Sequence, residues 1–417
     1  MKKTLIKNIG KIIGIVPAGK FRKEGAEMEE VETLEDAWLL IEGEKIHSFG
    51  SGEPPAGLSS GEHTVRTIDA GGGYVMPAFC DSHTHIVYAG SRYGEFRDKI
   101  NGLSYEQIAE RGGGILNSAD LLRETPEEEL FRQSLERAVE VMHKGTGALE
   151  IKSGYGLDTE NELKMLRVIR RLKAALPVEI RATFLGAHAV GRAYTGRQGE
   201  YVDMVCHEML PAVAAEGLAD FVDVFCDRGF FTPEETLQIL DAAQMYGLRG
   251  KIHANELAVS GGVQAGVSRN ALSVDHLEQT AQAEIDALKG TETMPTMLPG
   301  ASFFSRLPYG QAKNFIRSGL AVALASDYNP GSSPSGDMRF VMALGCIQMR
   351  LTPEEAFNAC TLNSAYAMGI SRTVGSVTAG KLANLIVTVP LPDLAFIPYS
   401  HHTPFISRVI LKGDIQS

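Results

Sequence analysis

Cysteine is scarce and scattered. The five residues Cys80, Cys206, Cys226, Cys346 and Cys360 are odd in number and include no CxxC pair. That excludes a disulfide framework and a cysteine-built zinc knuckle, and it suits a reducing cytoplasm. Long apolar runs are missing too. No stretch reaches the roughly 18 apolar residues of a membrane span, and the opening MKKTLIKNIGKIIGIVPAGK lacks the core and cleavage site of a secretory signal. A basic excess is also absent. The formal charge of −11 argues against a nucleic-acid or acidic-membrane binder, and it requires that any anionic substrate be held by locally placed cations. What remains, 417 residues at 44% apolar and 22% charged, is an ordinary globular composition with room for one large α/β unit and a smaller one.

The texture of the chain changes twice. Residues 1–73 carry short strand-like segments (Thr4–Ile9, Trp38–Glu42, Lys45–Phe49, Thr64–Ile68) between Gly, Pro and Ser clusters, and the same pattern returns at ANLIVTVP and Ile406–Lys412. Residues 1–73 and 377–417 are therefore expected to form one small β-sandwich from both chain ends, flanking a domain over 74–376. That middle alternates apolar runs with amphipathic helices at Pro126–Lys144, Glu160–Ala175, Tyr201–Glu216, Pro233–Tyr246, Ala281–Leu288 and Pro353–Cys360. Three of these open with Thr-Pro-Glu-Glu, a helix-start signal. Eight buried strands are expected between them: Tyr74–Phe79, Gly147–Lys152, Arg181–Ala187, Phe221–Cys226, Gly250–His253, Ala271–Val274, Glu292–Met297 and Val322–Ala325. Eight strands alternating with helices is the pattern of a (β/α)8, or TIM, barrel, whose site forms at the C-terminal strand ends.

The histidines follow those strand ends. Of eleven, His83, His85, His188, His253 and His276 fall there, and Asp327 follows the last strand. His83 and His85, two apart in extended backbone, face the same way. With His253 and Asp327 they supply three or four ligands for one metal ion and leave a position for water. Asp327 can also accept the water's proton. His276 reads as a base, an oxyanion partner or a prop behind the site. Glu256, in the segment HANE, is placed to bond ring nitrogens and to protonate a leaving nitrogen. The glycine run 112–114 lacks the Lys-Ser/Thr of a phosphate loop and reads as a loop or lid.

Together DSHTH, the spaced His253, His276 and Asp327, and the β-flanked barrel resemble the amidohydrolase superfamily. The segments THIVYAGSRYGEF, RGGGI, EIKSGYGLD, FLGAH, VDVFCD, HANE, SVDHLE and SDYNPGSSPS resemble, more narrowly, the imidazolonepropionase family. The resemblance implies a distorted TIM barrel with a small β-sandwich, and zinc or iron as cofactor. It implies ring-opening hydrolysis of 4-imidazolone-5-propanoate to N-formimino-L-glutamate. It also implies a homodimer, and substrate contacts from Arg92, Tyr105, Tyr155, His188, Glu256, Asn329, Gly331 and Ser332. Binuclear relatives use a lysine near the fourth strand end, and VDVFCD has none, so one metal ion is expected. The substrate's carboxylate calls for a cation, and Arg92 with the Tyr105 phenol can provide a clamp. The competing reading is a deaminase of a cyclic amidine or aminopurine, which would not need Arg92.

Overall fold

The computed structural model describes residues 2–55, 65–103, 107, 111 and 113–416. Its strands are β1 Lys3–Ile15, β2 Glu32–Glu42, β3 Lys45–Ser51, β4 Val65–Asp69, β5 Tyr74–Pro77, β6 Phe79–Thr84, β7 Thr146–Lys152 and β8 Glu179–Ala187. They continue as β9 Phe221–Cys226, β10 Arg249–Ala254, β11 Ser273–His276, β12 Met294–Met297, β13 Ala323–Leu324, β14 Leu385–Thr388, β15 Ile406–Leu411 and β16 Asp414–Ile415. They form two sheets. β6 to β13 run in strict chain order, each parallel to the next, as the βαβ alternation requires. The ring is closed across its seam. The amide of Asp327 donates to the His83 carbonyl (3.0 Å), and that of His85 donates to the Tyr328 carbonyl (2.9 Å). Buried Asp81 on β6 reinforces the seam by accepting from the Ser326 amide (3.0 Å) and hydroxyl (2.5 Å). The architecture is a (β/α)8 barrel.

The second sheet is built from both chain ends, in the order β16-β15-β14-β5-β1-β2-β3 with β4 beside β1. Its two edges meet. The Ile46 amide donates to the Lys381 carbonyl (2.9 Å), and the Ala383 amide donates to the Glu44 carbonyl (2.8 Å). The sheet thereby folds over a core of its own, made by Ile6, Ile9, Ile12, Leu39, Ile41, Val75, Leu385 and Ile410 among others. Register shifts in β1 after Ile6 and Ile13 supply bends of the kind such curvature needs.

The first expected barrel strand, Tyr74–Phe79, is divided between the two sheets. Tyr74–Pro77 pairs antiparallel with β14 in the chain-end sheet, and the barrel begins only at Phe79. Pro77 has no N–H to continue a ladder, and the chain changes partners immediately after it. Ala78 donates to the Asn384 carbonyl, whereas Phe79 donates to the Gly145 carbonyl, both at 2.9 Å. An unbroken apolar run carries no sign of that exchange. It leaves His83 within the first barrel strand, with His85 just past its end.

The expected helices form, with one refinement. Thr232 and Thr352 each accept from the amide three residues on, completing capping boxes with Glu235 and Glu355. Thr125, in the third Thr-Pro-Glu-Glu, instead ends the preceding helix Gly114–Glu124, its hydroxyl donating to the Leu121 carbonyl (2.7 Å). Of the glycine run expected as a loop or lid, Gly113 and Gly114 begin that helix, and Gly112 lies outside the described residues.

Candidate active site

His83, His85, His253 and Asp327 come from β6, the residue after it, β10 and the segment after β13, and all four are buried. His83 Nε2 lies 3.3 Å from His85 Nε2, and His253 Nε2 lies 3.4 Å from His85 Nε2. Asp327 Oδ1 stands 3.6 Å from His83 Nε2 and 3.5 Å from His85 Nε2. Around a tetrahedral ion with bonds of about 2.0–2.1 Å, ligand atoms are spaced at roughly 3.3 Å. These four separations match that spacing. Burial, together with nearby cationic groups and imidazoles, pushes the His83 and His85 pKa values well below the usual histidine value. Both rings are then neutral and present lone pairs, as metal ligands must.

Behind these candidate ligands lies a set of buried charges. Asp275 Oδ2 accepts from His83 Nδ1 at 2.7 Å, and Asp223 Oδ2 lies 3.0 Å from His253 Nδ1. A carboxylate on Nδ1 fixes the tautomer, turns Nε2 toward the metal position and makes it more basic. The carboxylates are themselves compensated. Lys152 Nζ is 2.6 Å from Glu150, 2.7 Å from Asp223 and 3.7 Å from Asp275, and Lys251 Nζ bonds Glu150. All five side chains are fully buried. They project inward because each pair Glu150/Lys152 and Lys251/His253 is spaced by two along a strand. The sequence reading passed over them. The available signal was a charge at inward-facing positions of otherwise apolar strands: EIK, VDV, GKIH and SVDH.

His276 lies between two carboxylates. Its Nε2 is 3.7 Å from Glu256, and its Nδ1 is 3.4 Å from Glu278, which also accepts from the Ser302 hydroxyl at 3.0 Å. Burial opposes the charged ring, but Glu256, Glu278 and Asp327 outweigh it and hold the His276 pKa well above the usual value. That direction favours the protonated ring and, with it, the oxyanion-partner reading over the base. Burial, with repulsion from Glu278, Asp327 and Asp227, raises the Glu256 carboxyl to about 7 against the pull of His276. Burial likewise raises Asp327. The backbone here is unusual. Asn255, His276, Leu277 and Asp327 have φ of 60°, 86°, 67° and 53°. Asn and Asp tolerate the left-handed region, but His276 and Leu277 in succession store strain, of the kind retained where side-chain aim matters.

These side chains line a cavity of about 640 Å³ at the C-terminal mouth of the barrel. Its wall brings together His85, Arg92, Tyr155, His188, His253, Glu256, His276, Asp327, Asn329, Gly331 and Ser332. His83, fully buried, sits beneath them. Tyr105 lies outside the described residues. The His188 ring stacks on His85 (5.3 Å between centroids, 15° between planes), and its Nδ1 donates to the Gly154 carbonyl at 2.9 Å. Nε2 is thereby left as an acceptor, and burial lowers the pKa to about 3, which keeps the ring neutral. Asn329 supports its own loop. Its Oδ1 accepts from the Gly331 and Ser332 amides (2.8 and 2.7 Å), and its Nδ2 donates to the Asp327 carbonyl (2.7 Å). Arg92 Nε and Nη2 are held by Glu95 at 3.0 and 2.6 Å. Glu95 was not among the expected site residues, nor was Lys99, whose ammonium donates to the Gly331 carbonyl at 2.6 Å.

Known proteins resemble the chain in sequence and in fold. The sequence profile described as the Amidohydrolase family matches residues 74–415. An imidazolonepropionase of Flavobacterium johnsoniae is 52% identical over 99% of both chains, and one of Christiangramia forsetii is 49% identical over 99% of both. Among solved structures, Escherichia coli guanine deaminase superposes with a TM-score of 0.77 at 15% identity, covering 100% of this chain and 99% of its own. A zinc-complexed atrazine chlorohydrolase of Arthrobacter aurescens superposes with a TM-score of 0.75 at 16% identity, covering 99% and 94%. These two share the fold. The buried histidine cluster, the family and the spacing of the ligand atoms together support a metal cofactor. Among the described residues no helix is long and apolar enough to cross a membrane. With 52% of the aligned residues identical to the Flavobacterium johnsoniae protein over 99% of both chains, the chain belongs to the amidohydrolase family and, within it, to the imidazolonepropionases.

Proposed function

We propose that the protein hydrolyses 4-imidazolone-5-propanoate to N-formimino-L-glutamate, as the names of its relatives indicate for them. The observation that carries the reading is the meeting of three clustered histidines and Asp327 with the His276 ring, a protonatable carboxyl and Arg92 at one cavity, His83 lying beneath its wall. His83, His85, His253 and Asp327 would hold zinc or iron. Bound there, such an ion supplies Lewis acidity and brings the pKa of water toward neutrality.

The chain's own groups handle the protons and the substrate. Water adds to the ring carbonyl carbon, and Asp327 takes its proton. The imidazolium of His276 donates to the oxygen that becomes negative. Glu256, neutral below about pH 7, gives its proton to the ring nitrogen as the C–N bond breaks. One carboxylate and one formimino nitrogen result, so the sum is substrate plus water. Tyr155 and the acceptor Nε2 of His188 face the ring, and Arg92 the propanoate. A neutral cyclic amidine or purine would make no use of a guanidinium lining the cavity, which favours the anionic substrate over the deaminase reading.

In the cell we read the chain as a cytoplasmic homodimer. Its five unpaired cysteines suit the compartment, and the family resemblance suggests the assembly. The test generates the imidazolone from urocanate with urocanase. Accelerated loss of its ultraviolet band on adding the protein, with formiminoglutamate detected by mass, supports the assignment. No acceleration by metal-replete protein contradicts it.

A further inference from the structure

Arg92 cannot set the charge of the cavity alone. Its Nε and Nη2 engage Glu95, three residues on along the helix Tyr93–Ile100, so the pair sums to zero. A propanoate arriving beside a neutralised arginine meets donors but no net positive charge. Lys99 lies one helical turn beyond Glu95 and lines the same cavity. Its ammonium donates to the Gly331 carbonyl at 2.6 Å and stands 5.0 Å from the centre of the Phe304 ring. Arg92 reaches the same glycine, and a Cβ on Gly331 would overlap its guanidinium. The two cationic heads therefore converge on one residue. Among the described residues no carboxylate lies within ion-pair distance of Lys99.

We propose that Lys99 is a substrate-binding residue, the net cation that receives the propanoate carboxylate, with Arg92 held in orientation beside it by Glu95. This rests on the ring-opening assignment and adds to it the group that selects an acidic side arm. Burial first, and then the neighbouring Arg92, lower the Lys99 pKa to about 8 against the pull of Glu95 and Glu256, and a carboxylate bound beside the ammonium would raise it again. The glycine at 331 has a matching role, since a side chain there would collide with the Arg92 guanidinium.

The test compares wild-type holoenzyme with Lys99→Met and Lys99→Arg. Calorimetry reads the binding of 3-(imidazol-4-yl)propanoate and of its neutral amide, and the coupled assay reads kcat and KM. The expected result is a preference of about tenfold or more for the acid in the wild type, retained by Lys99→Arg and abolished in Lys99→Met. KM for the imidazolone should rise by a similar factor in Lys99→Met, while kcat changes by less than about threefold. An unchanged acid preference in folded Lys99→Met overturns the proposal. Should that variant fail to fold, Lys99→Gln is read in the same way. A Lys99-dependent acid preference in a protein that opens no imidazolone supports the binding role and contradicts the ring-opening assignment alone.

Discussion

Replacing Asp275 by Asn removes one charge and almost no volume from a fully buried position, so its effect isolates what that carboxylate does for His83. The carboxylate accepts from His83 Nδ1 at 2.7 Å. A hydrogen bond to a charged group contributes about 1.5–3 kcal/mol, and loss of a carboxylate behind a metal histidine typically costs 10- to 100-fold in affinity, about 1.4–2.8 kcal/mol. The two scales agree. Asparagine introduces a further hazard, because an amide N–H turned toward Nδ1 would favour the tautomer with its proton on Nε2, the atom aimed at the metal position. We expect Asp275→Asn to bind Zn(II) at least about tenfold more weakly, measured on metal-free protein by competition with a chromogenic chelator. Circular dichroism and a melting curve establish that the fold persists. Affinity within about twofold of wild type in a folded variant would refute the assignment of Asp275 as the group that orients His83, and with it the reasoning for Asp223 behind His253.

Other perturbations separate the remaining roles. Asp327→Asn should reduce kcat by about three orders of magnitude or more, since one residue is both ligand and proton acceptor; near-normal turnover would remove it from both roles. Lys152→Met leaves Glu150 and Asp223 buried with one fewer cation and should destabilise the protein by about 3–5 kcal/mol in denaturant titrations. A loss below about 1 kcal/mol would mean that these carboxylates are not charged together. With its carboxyl raised to about 7, Glu256 can donate a proton below that pH and not above it. The kcat profile should therefore fall as pH rises through about 7, and Glu256→Gln should be slow and lack that limb. Persistence of the limb in Glu256→Gln would assign it to another group.

The larger architecture was legible because its signals are local. Thr-Pro-Glu-Glu and apolar periodicity mark the helices, and short apolar runs mark the barrel strands. The exception at Tyr74–Phe79 has a definite cause: pairing partners are exchanged at Pro77, whereas hydrophobicity continues through it. The candidate ligands were legible because His83 and His85 follow the period of a strand and His253 and Asp327 fall at strand ends. What the sequence hid is relational. Asp223 and Asp275 gain meaning only when β6, β9, β10 and β11 set them behind His253 and His83. Arg92 looks like an available cation until the helix at Tyr93–Ile100 turns Glu95 onto it and brings Lys99 alongside. Asn329, read as a contact for substrate, uses its side chain to shape the loop that carries Gly331 and Ser332.

The central claim is that one metal ion, held by His83, His85, His253 and Asp327, supports the opening of the imidazolone ring. The direct measurement is a metal titration of chelator-treated protein, with bound metal and imidazolonepropanoate turnover followed on the same samples. The account predicts negligible turnover in the metal-free protein and a linear rise that ends at one ion per chain. Turnover that survives complete removal of metal, or that requires a second equivalent, would contradict it.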